Sequence, residues 1–308
     1  MKITIVGAGV IGTSWAALML AHGHEVTIND PAPNVEAQVL HDLADIAPTL
    51  AALGLPTEGL TDALSFNADL KTAVAQADAV QENGPERLDL KHQIWSTIEG
   101  AAPAHALFLT STSGIPATEI AKALRQPGRL VVGHPFNPPH LLPLVEIVPG
   151  EKTSDDTLDR ARRFYAKLGK KPVVLGKEIP GFVANRLQSA LFRECVYLVT
   201  QGVVTEQELD EIVTSSIGLR WAVGGPFLSF HLGGGHGGLP HFLEQFGPSL
   251  ENGWSRQVIP SIDPPTVAVL TEQAAHFGAS IDELAAERDR GQIAVLTALH
   301  PQAVKELS

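Results

Sequence analysis

At 308 residues the chain is long enough for two domains and a sizeable core, and its mix of apolar and charged residues is that of a soluble globular protein. A formal net charge of −12 argues against nucleic acid as the main partner. The single cysteine, Cys195, excludes an intramolecular disulfide and suits a reducing cytoplasm; no apolar run is long enough for a membrane span, and residues 2–6 run straight into glycines instead of forming a signal peptide.

Residues 3–6 read as a short buried strand. They lead into Gly7-Ala-Gly-Val-Ile-Gly12, a helical pattern over 11–22, a C-cap at Gly23 and a second strand over 25–29 closing at Asp30. This is G-x-G-x-x-G in a strand–turn–helix–strand setting. Glycines let the backbone approach a pyrophosphate, and the helix N-terminus holds its charge, which assigns Gly7, Gly9, Val10, Ile11 and Gly12 to a dinucleotide. Asp30 stands where a carboxylate accepts the hydroxyls of the adenosine ribose. Asn29-Asp-Pro-Ala32 offers no cation to a 2′-phosphate, so NAD is favoured over NADP.

The alternation continues with a helix over 70–76, a strand over 78–82, a helix over 88–99 and a strand over 106–110. A polar turn at 111–114 and a helix over 117–124 follow, then strands over 130–133 and 144–148, a helix over 158–168 and a strand over 173–175. This pattern predicts an α/β Rossmann domain over 1–177, with a mostly parallel, doubly wound sheet and ligands at the carboxyl ends of its strands. His134 and the 111–113 turn are expected just past strand ends. Glu146, inside the next strand, is placed to fold back on His134 and orient its imidazole as a general base.

The character changes near Lys177-Glu-Ile-Pro-Gly181. From there to 308 the patterns are helical: 182–201, with Asn185 on its first turn, then 206–216, 226–232, 239–246, 267–277 and 281–299. A Rossmann domain followed by an all-helical domain places the active site in the cleft between them. His231, His236 and His241, with glycines between, match no compact zinc site, and no metal is expected; residues 233–238 read as a mobile, glycine-rich gate. Residues 283–290 read as a solvated, charged helix face.

Several stretches resemble the 3-hydroxyacyl-CoA dehydrogenase family over essentially the whole chain. They are Gly7–Gly12, Gln81-Glu-Asn-Gly-Pro-Glu-Arg-Leu-Asp-Leu-Lys91, Thr112-Ser113, His134-Pro-Phe-Asn-Pro138, Pro143-Leu-Val-Glu146, Pro180-Gly-Phe-Val-Ala-Asn-Arg186 and Gly218-Leu-Arg-Trp-Ala222. Within the family, the similarity is greatest to the branch acting on free acids, L-gulonate 3-dehydrogenase (lambda-crystallin) and L-carnitine dehydrogenase. The resemblance implies a C-terminal domain of the 6-phosphogluconate dehydrogenase C-terminal-like type that also forms a homodimer. It implies that His134 takes the 3-hydroxyl proton as hydride leaves for NAD, that Glu146 balances its charge, and that Ser113 binds the substrate oxygen near the nicotinamide. Asn185 would hold His134 or the substrate carbonyl, and Asp30, Glu86, Lys91 and Asn137 match positions that contact NAD. A short-chain acyl-CoA dehydrogenase and a non-catalytic, crystallin-like NAD-binding protein are the alternatives; the intact set Ser113, His134, Glu146 and Asn185 favours an enzyme.

The sequence departs from acyl-CoA-using relatives. Between Asp30 and Lys71 there is no Lys or Arg, and the strip carries Glu36, Asp42, Asp45, Glu58, Asp62 and Asp69. A phosphorylated carrier would meet like charge there, which predicts a small free acid as substrate. Arg220 supplies a guanidinium suited to a carboxylate, in cis or across a dimer. Trp221 beside it reads as core. Gly225-Pro-Phe-Leu228 lacks the Glu that the family often carries there and leaves an apolar residue near the expected substrate cleft, so the resemblance implies an L-carnitine- or L-gulonate-like small 3-hydroxy acid without fixing which one.

Overall fold

The computed structural model describes residues 1–277 and 280–299. The chain divides into two units: Met1–Val183 together with the residues from 287 onward, and Ala184–Ala286.

The first unit is built on one eight-stranded sheet in the order β3-β2-β1-β4-β5-β6-β7-β8. The strands are β1 (Lys2–Val6), β2 (Glu25–Asn29), β3 (Leu64–Phe66), β4 (Ala79–Glu82), β5 (Leu107–Thr110), β6 (Leu130–Pro135), β7 (Leu144–Pro149) and β8 (Lys171–Val174). All neighbours run parallel except β6 and β7. The 136–143 connection is too short for the crossover that a parallel pair needs, so these two strands form a hairpin.

Helices α1 (Val10–Ala21), α2 (Val35–Ala52) and α6 (Asp155–Lys167) cover one face of the sheet, and α3 (Leu70–Val74), α4 (Leu88–Ala101) and α5 (Ala117–Ala121) the other. Strand alternation feeds both cores: Leu107 and Leu109 join the first, Phe108 between them the second. Every residue of α1 from Gly12 to Ala21 is buried, as a helix apolar all round requires. Gly133 of β6 is fixed by packing, since a Cβ there would lie 1.9 Å from the Tyr165 hydroxyl.

Two elements go beyond the sequence pattern. Helix α2 buries only Val39, Leu43 and Leu50 and carries Pro48 within it, so its apolar stripe is thin. Strand β3 has three residues, too few for a period.

The second unit is helical: α7 (Ala184–Thr200), α8 (Glu206–Ser215), α9 (Ile217–Gly233), α10 (Gly238–Trp254), α11 (Pro264–Ala274) and the start of α12 (Ile281–Leu299). Phe182, expected to open the first helix, instead has φ 49° and precedes it. The expected helix over 226–232 is the second half of α9, whose two halves meet at Gly225 (φ 64°, ψ 172°) and Pro226. Helix α10 continues past Phe246 to Trp254, through Pro248.

Residues 233–238, read from sequence as a mobile gate, form a closed turn. A Cβ on Gly234 would sit 1.9 Å from the Gly238 carbonyl, and His231 Nδ1 accepts the Leu239 amide at 3.1 Å. The glycines answer a packing requirement. Among the described residues no three His, Cys, Asp or Glu side chains gather as metal ligands, and no helix is long and apolar enough to cross a membrane.

Candidate active site

The glycine turn is built for close approach. Gly7 has φ 90°, and a Cβ on it would meet the Asn83 carbonyl at 2.9 Å; a Cβ on Gly12 would lie 1.9 Å from the Gly7 carbonyl. Around Gly9 there is open space. Gly9 caps α1 without a side-chain hydrogen bond, which leaves the first-turn amides to an outside anion. Val10 is 72 % exposed beside them. Asp30, at the end of β2, braces the turn: Oδ2 accepts the Ala8 amide and Oδ1 the Ala32 amide, both at 2.8 Å. Next to Asp30 opens a cleft of about 610 Å³ with Ile28, Val35, Leu40 and Phe66 in its wall. An anion cradle, a carboxylate and an apolar cleft fit the phosphates, ribose and base of a dinucleotide.

Past β4 and β5 lies a connected polar cluster. Lys91, 1 % exposed, donates from Nζ to Glu82 Oε1 at 2.7 Å and to the Gly84 carbonyl at 3.2 Å, and lies 3.8 Å from Glu86 Oε2. Glu82, fully buried, also accepts the Thr110 hydroxyl and the Gly84 amide, each at 2.6 Å. Glu86 accepts the hydroxyls of Thr112 (2.8 and 2.9 Å) and Ser113 (2.9 Å) and the Ser113 amide. Burial opposes ionisation of Glu86, but the Ser113 amide, the Thr112 hydroxyl and Lys91 together hold its carboxyl below the usual range. Glu86, Lys91 and Ser113, separate candidates in the sequence, thus form one chain of contacts. Lys91 reaches outward only through Glu86 in this arrangement.

His134 does not lie past a strand end as expected. It is inside β6, directly opposite Glu146 of β7 in the hairpin register. Its Nδ1 and Glu146 Oε2 are 2.9 Å apart, with the two residues 5 % and 2 % exposed. Glu146 Oε1 accepts the Val183 amide at 2.9 Å. A carboxylate only accepts, so Nδ1 carries the proton and Nε2 keeps its lone pair. The Phe182 ring, 5.2 Å away, packs against the imidazole.

Asn137, itself exposed between less exposed neighbours, follows β6 in the 136–143 connection. Beyond it the connection is tied down twice. Ser14 Oγ accepts the His140 amide and bonds its ring Nδ1, each at 2.8 Å. Lys170 Nζ donates to the carbonyls of Pro139 and Leu142, the latter at 2.8 Å. Burial, aided by Lys170 and Arg288 and opposed by Asp289, pulls His140 down to about 4. Between about pH 6.5 and 4 the unfolded chain therefore binds a proton that the folded chain refuses, so stability falls as pH drops through that window, by on the order of 3 kcal/mol. Melting curves across this window should fall more steeply for the wild type than for His140→Asn, whose side chain stays neutral.

Asn185 is the second residue of α7, and Arg220 lies exposed on α9 with no ion-pair partner among the described residues. Trp221, read as core, is 37 % exposed. Ser14, His140 and Lys170 were not singled out from sequence, and Glu82 and Thr112 stood only within stretches carrying the family resemblance, with no role assigned. A carboxylate ending the buried strand 79–82 was a signal for Glu82; the Ser14–His140 tie spans 126 residues and left none.

Residues 2–179 match the NAD-binding domain of 3-hydroxyacyl-CoA dehydrogenase, and residues 181–261 its C-terminal domain. L-carnitine dehydrogenase of Streptomyces griseus is 47 % identical over 96 % of this chain and 89 % of its own. That of Pseudomonas aeruginosa is 42 % identical over 95 % and 92 %. Among solved structures, 5-formyl-3-hydroxy-2-methylpyridine 4-carboxylic acid 5-dehydrogenase, an NAD+-dependent dismutase, superposes with a TM-score of 0.82 at 32 % identity, covering 97 % of this chain and 98 % of that one.

Proposed function

Because the chain belongs to the 3-hydroxyacyl-CoA dehydrogenase family, we propose that it is an NAD-dependent dehydrogenase of L-carnitine or a closely similar small free 3-hydroxy acid. That it is an NAD-dependent hydroxy acid dehydrogenase follows from its relatives; the substrate and the residue roles are this proposal. The observation that carries the roles is the His134–Glu146 pair, which leaves Nε2 as a free base.

His134 Nε2 takes the proton of the 3-hydroxyl. Glu146 balances the imidazolium that results, at a pair almost closed to water. NAD, when bound, accepts the hydride from C3. Gly7, Gly9, Val10, Ile11 and Gly12 hold its pyrophosphate on backbone amides, and Asp30 offers remaining lone pairs to the adenosine ribose. Glu86, braced by Lys91, orients Ser113, whose hydroxyl bonds the substrate oxygen; Asn137 supports the cofactor. Asn185 and Arg220 are assigned on their chemistry: an amide for His134 or the reacting carbonyl, and a guanidinium for the carboxylate.

Charge supports a free acid over an acyl-CoA. Glu36, Asp45, Glu58, Asp62 and Asp69 are all exposed in a strip that contains no cation. NAD reduction is measured with L-carnitine, L-gulonate, 3-hydroxybutyrate and 3-hydroxybutyryl-CoA. L-Carnitine is expected to give the highest kcat/KM, with the CoA ester at least about a hundredfold lower, a gap of roughly 2.7 kcal/mol. Turnover of the ester comparable to the free acids sinks the reading. In the same assay Arg220→Ala raises KM by about tenfold to a hundredfold with kcat kept, the worth of one charge-assisted contact.

We also propose a homodimer formed through the second unit. Among the described residues there, only Val196, Val199 and Leu209 are buried apolar side chains, while Phe227 is 78 %, Val223 72 % and Leu232 68 % exposed on α9. Light scattering is expected to give twice the chain mass.

A further inference from the structure

The second unit contains a cleft of about 550 Å³ lined by α7, α10 and the residues just after α10. Its wall is aromatic, with Tyr197, Phe242, Phe246 and Trp254; the Phe242 and Phe246 rings pack with centroids 5.0 Å apart. Ring faces are electron-rich and attract a weakly hydrated cation. Glu194 lines the same cleft, and its Oε2 is buried without any hydrogen-bond partner. A buried carboxylate oxygen left alone is costly, and a cation beside it removes that cost. A primary ammonium would need acceptors for three N–H groups, which rings do not supply; a quaternary ammonium needs none. Arg256 lines the cleft too and would repel a bare cation, so the ligand that fits carries a carboxylate as well.

We infer that this cleft binds a small zwitterion with a quaternary ammonium and a carboxylate, the first held by the aromatic rings and Glu194, the second by Arg256. The same chemical class contains the substrate proposed above, but the binding claim stands apart from turnover.

The probe is 4-(trimethylammonio)butanoate, which has no 3-hydroxyl to oxidise. The control is 5,5-dimethylhexanoate, the same shape with carbon in place of nitrogen. Calorimetry on the full chain is expected to show the probe bound at least about tenfold tighter than the control, equivalent to about 1.4 kcal/mol. Glu194→Gln and Trp254→Leu should each weaken the probe by about tenfold, with the melting temperature of the free protein not lowered in Glu194→Gln, which removes the lone buried charge, and unchanged in Trp254→Leu. Trp254 is 64 % exposed, so its loss leaves the core intact. Equal binding of probe and control, no binding of the probe, or full affinity in both variants overturns the inference. Oxidation of L-carnitine is scored separately, so either claim can fail without the other.

Discussion

His134→Ala lowers kcat for the hydroxy acid by about 10²- to 10⁴-fold, the range a positioned general base contributes. The affinity for NAD is expected to stay within about twofold, because the glycine turn and Asp30, the residues proposed to hold it, are braced independently of β6. Nδ1 is committed to Glu146, so Nε2 is the only lone pair the ring can offer, and alanine removes it. Glu146→Gln keeps an oxygen for Nδ1–H but removes the charge that balances imidazolium, so kcat falls by less. Initial rates of NADH formation at saturating substrate, with cofactor affinity from fluorescence titration, separate the two effects. Wild-type turnover in His134→Ala refutes the base assignment.

The sequence made the sheet legible wherever apolar runs were long and bounded by turn residues. Strands β1, β2, β4 and β5 fall within a residue or two of expectation because each is a short, largely buried segment with an apolar centre, bounded by turn or polar residues. Helix α2 was missed because three buried side chains in eighteen residues leave a weak period, and tertiary packing rather than propensity holds it. The His134–Glu146 pairing was legible as a possibility from two strands in succession. Only the hairpin register makes it cross-strand contact, and register follows from the short connection, not from either strand alone.

Long-range polar ties were the illegible part of the site. Ser14 and His140 are each unremarkable in sequence; only the fold brings α1 and the 136–143 connection together. Glu86 and Lys91 were read as separate contacts to the cofactor, and Ser113 as a contact to the substrate oxygen near the nicotinamide. The structure makes Lys91 a buried brace whose effect passes through Glu82 and Glu86, a role that depends on burial, which composition does not reveal.

That brace gives the largest stability effect. Lys91→Met keeps the bulk of the side chain but leaves Glu82, fully buried, without its cation. Breaking a buried pair from one side costs about 3–5 kcal/mol, because the remaining charge is still out of water. The Thr110 hydroxyl and the Gly84 amide still donate to Glu82, which places the expected loss toward the lower end. The double variant Lys91→Met/Glu82→Gln removes the stranded charge and should recover at least half of the loss, since the amide oxygen can still accept from the Gly84 N–H and the amide NH2 can donate to the Thr110 hydroxyl, which accepts as well as donates. Urea denaturation with a common m-value measures both. A single variant within about 0.5 kcal/mol of wild type, or a double variant no better than the single, would show that the pair is not a structural charge pair. The same substitutions separate fold from function. If Lys91 acts through Glu86 on Ser113, the single variant also raises the KM for the hydroxy acid after its lost stability is allowed for, and the double variant, which restores stability but not the cation beside Glu86, does not bring that KM back.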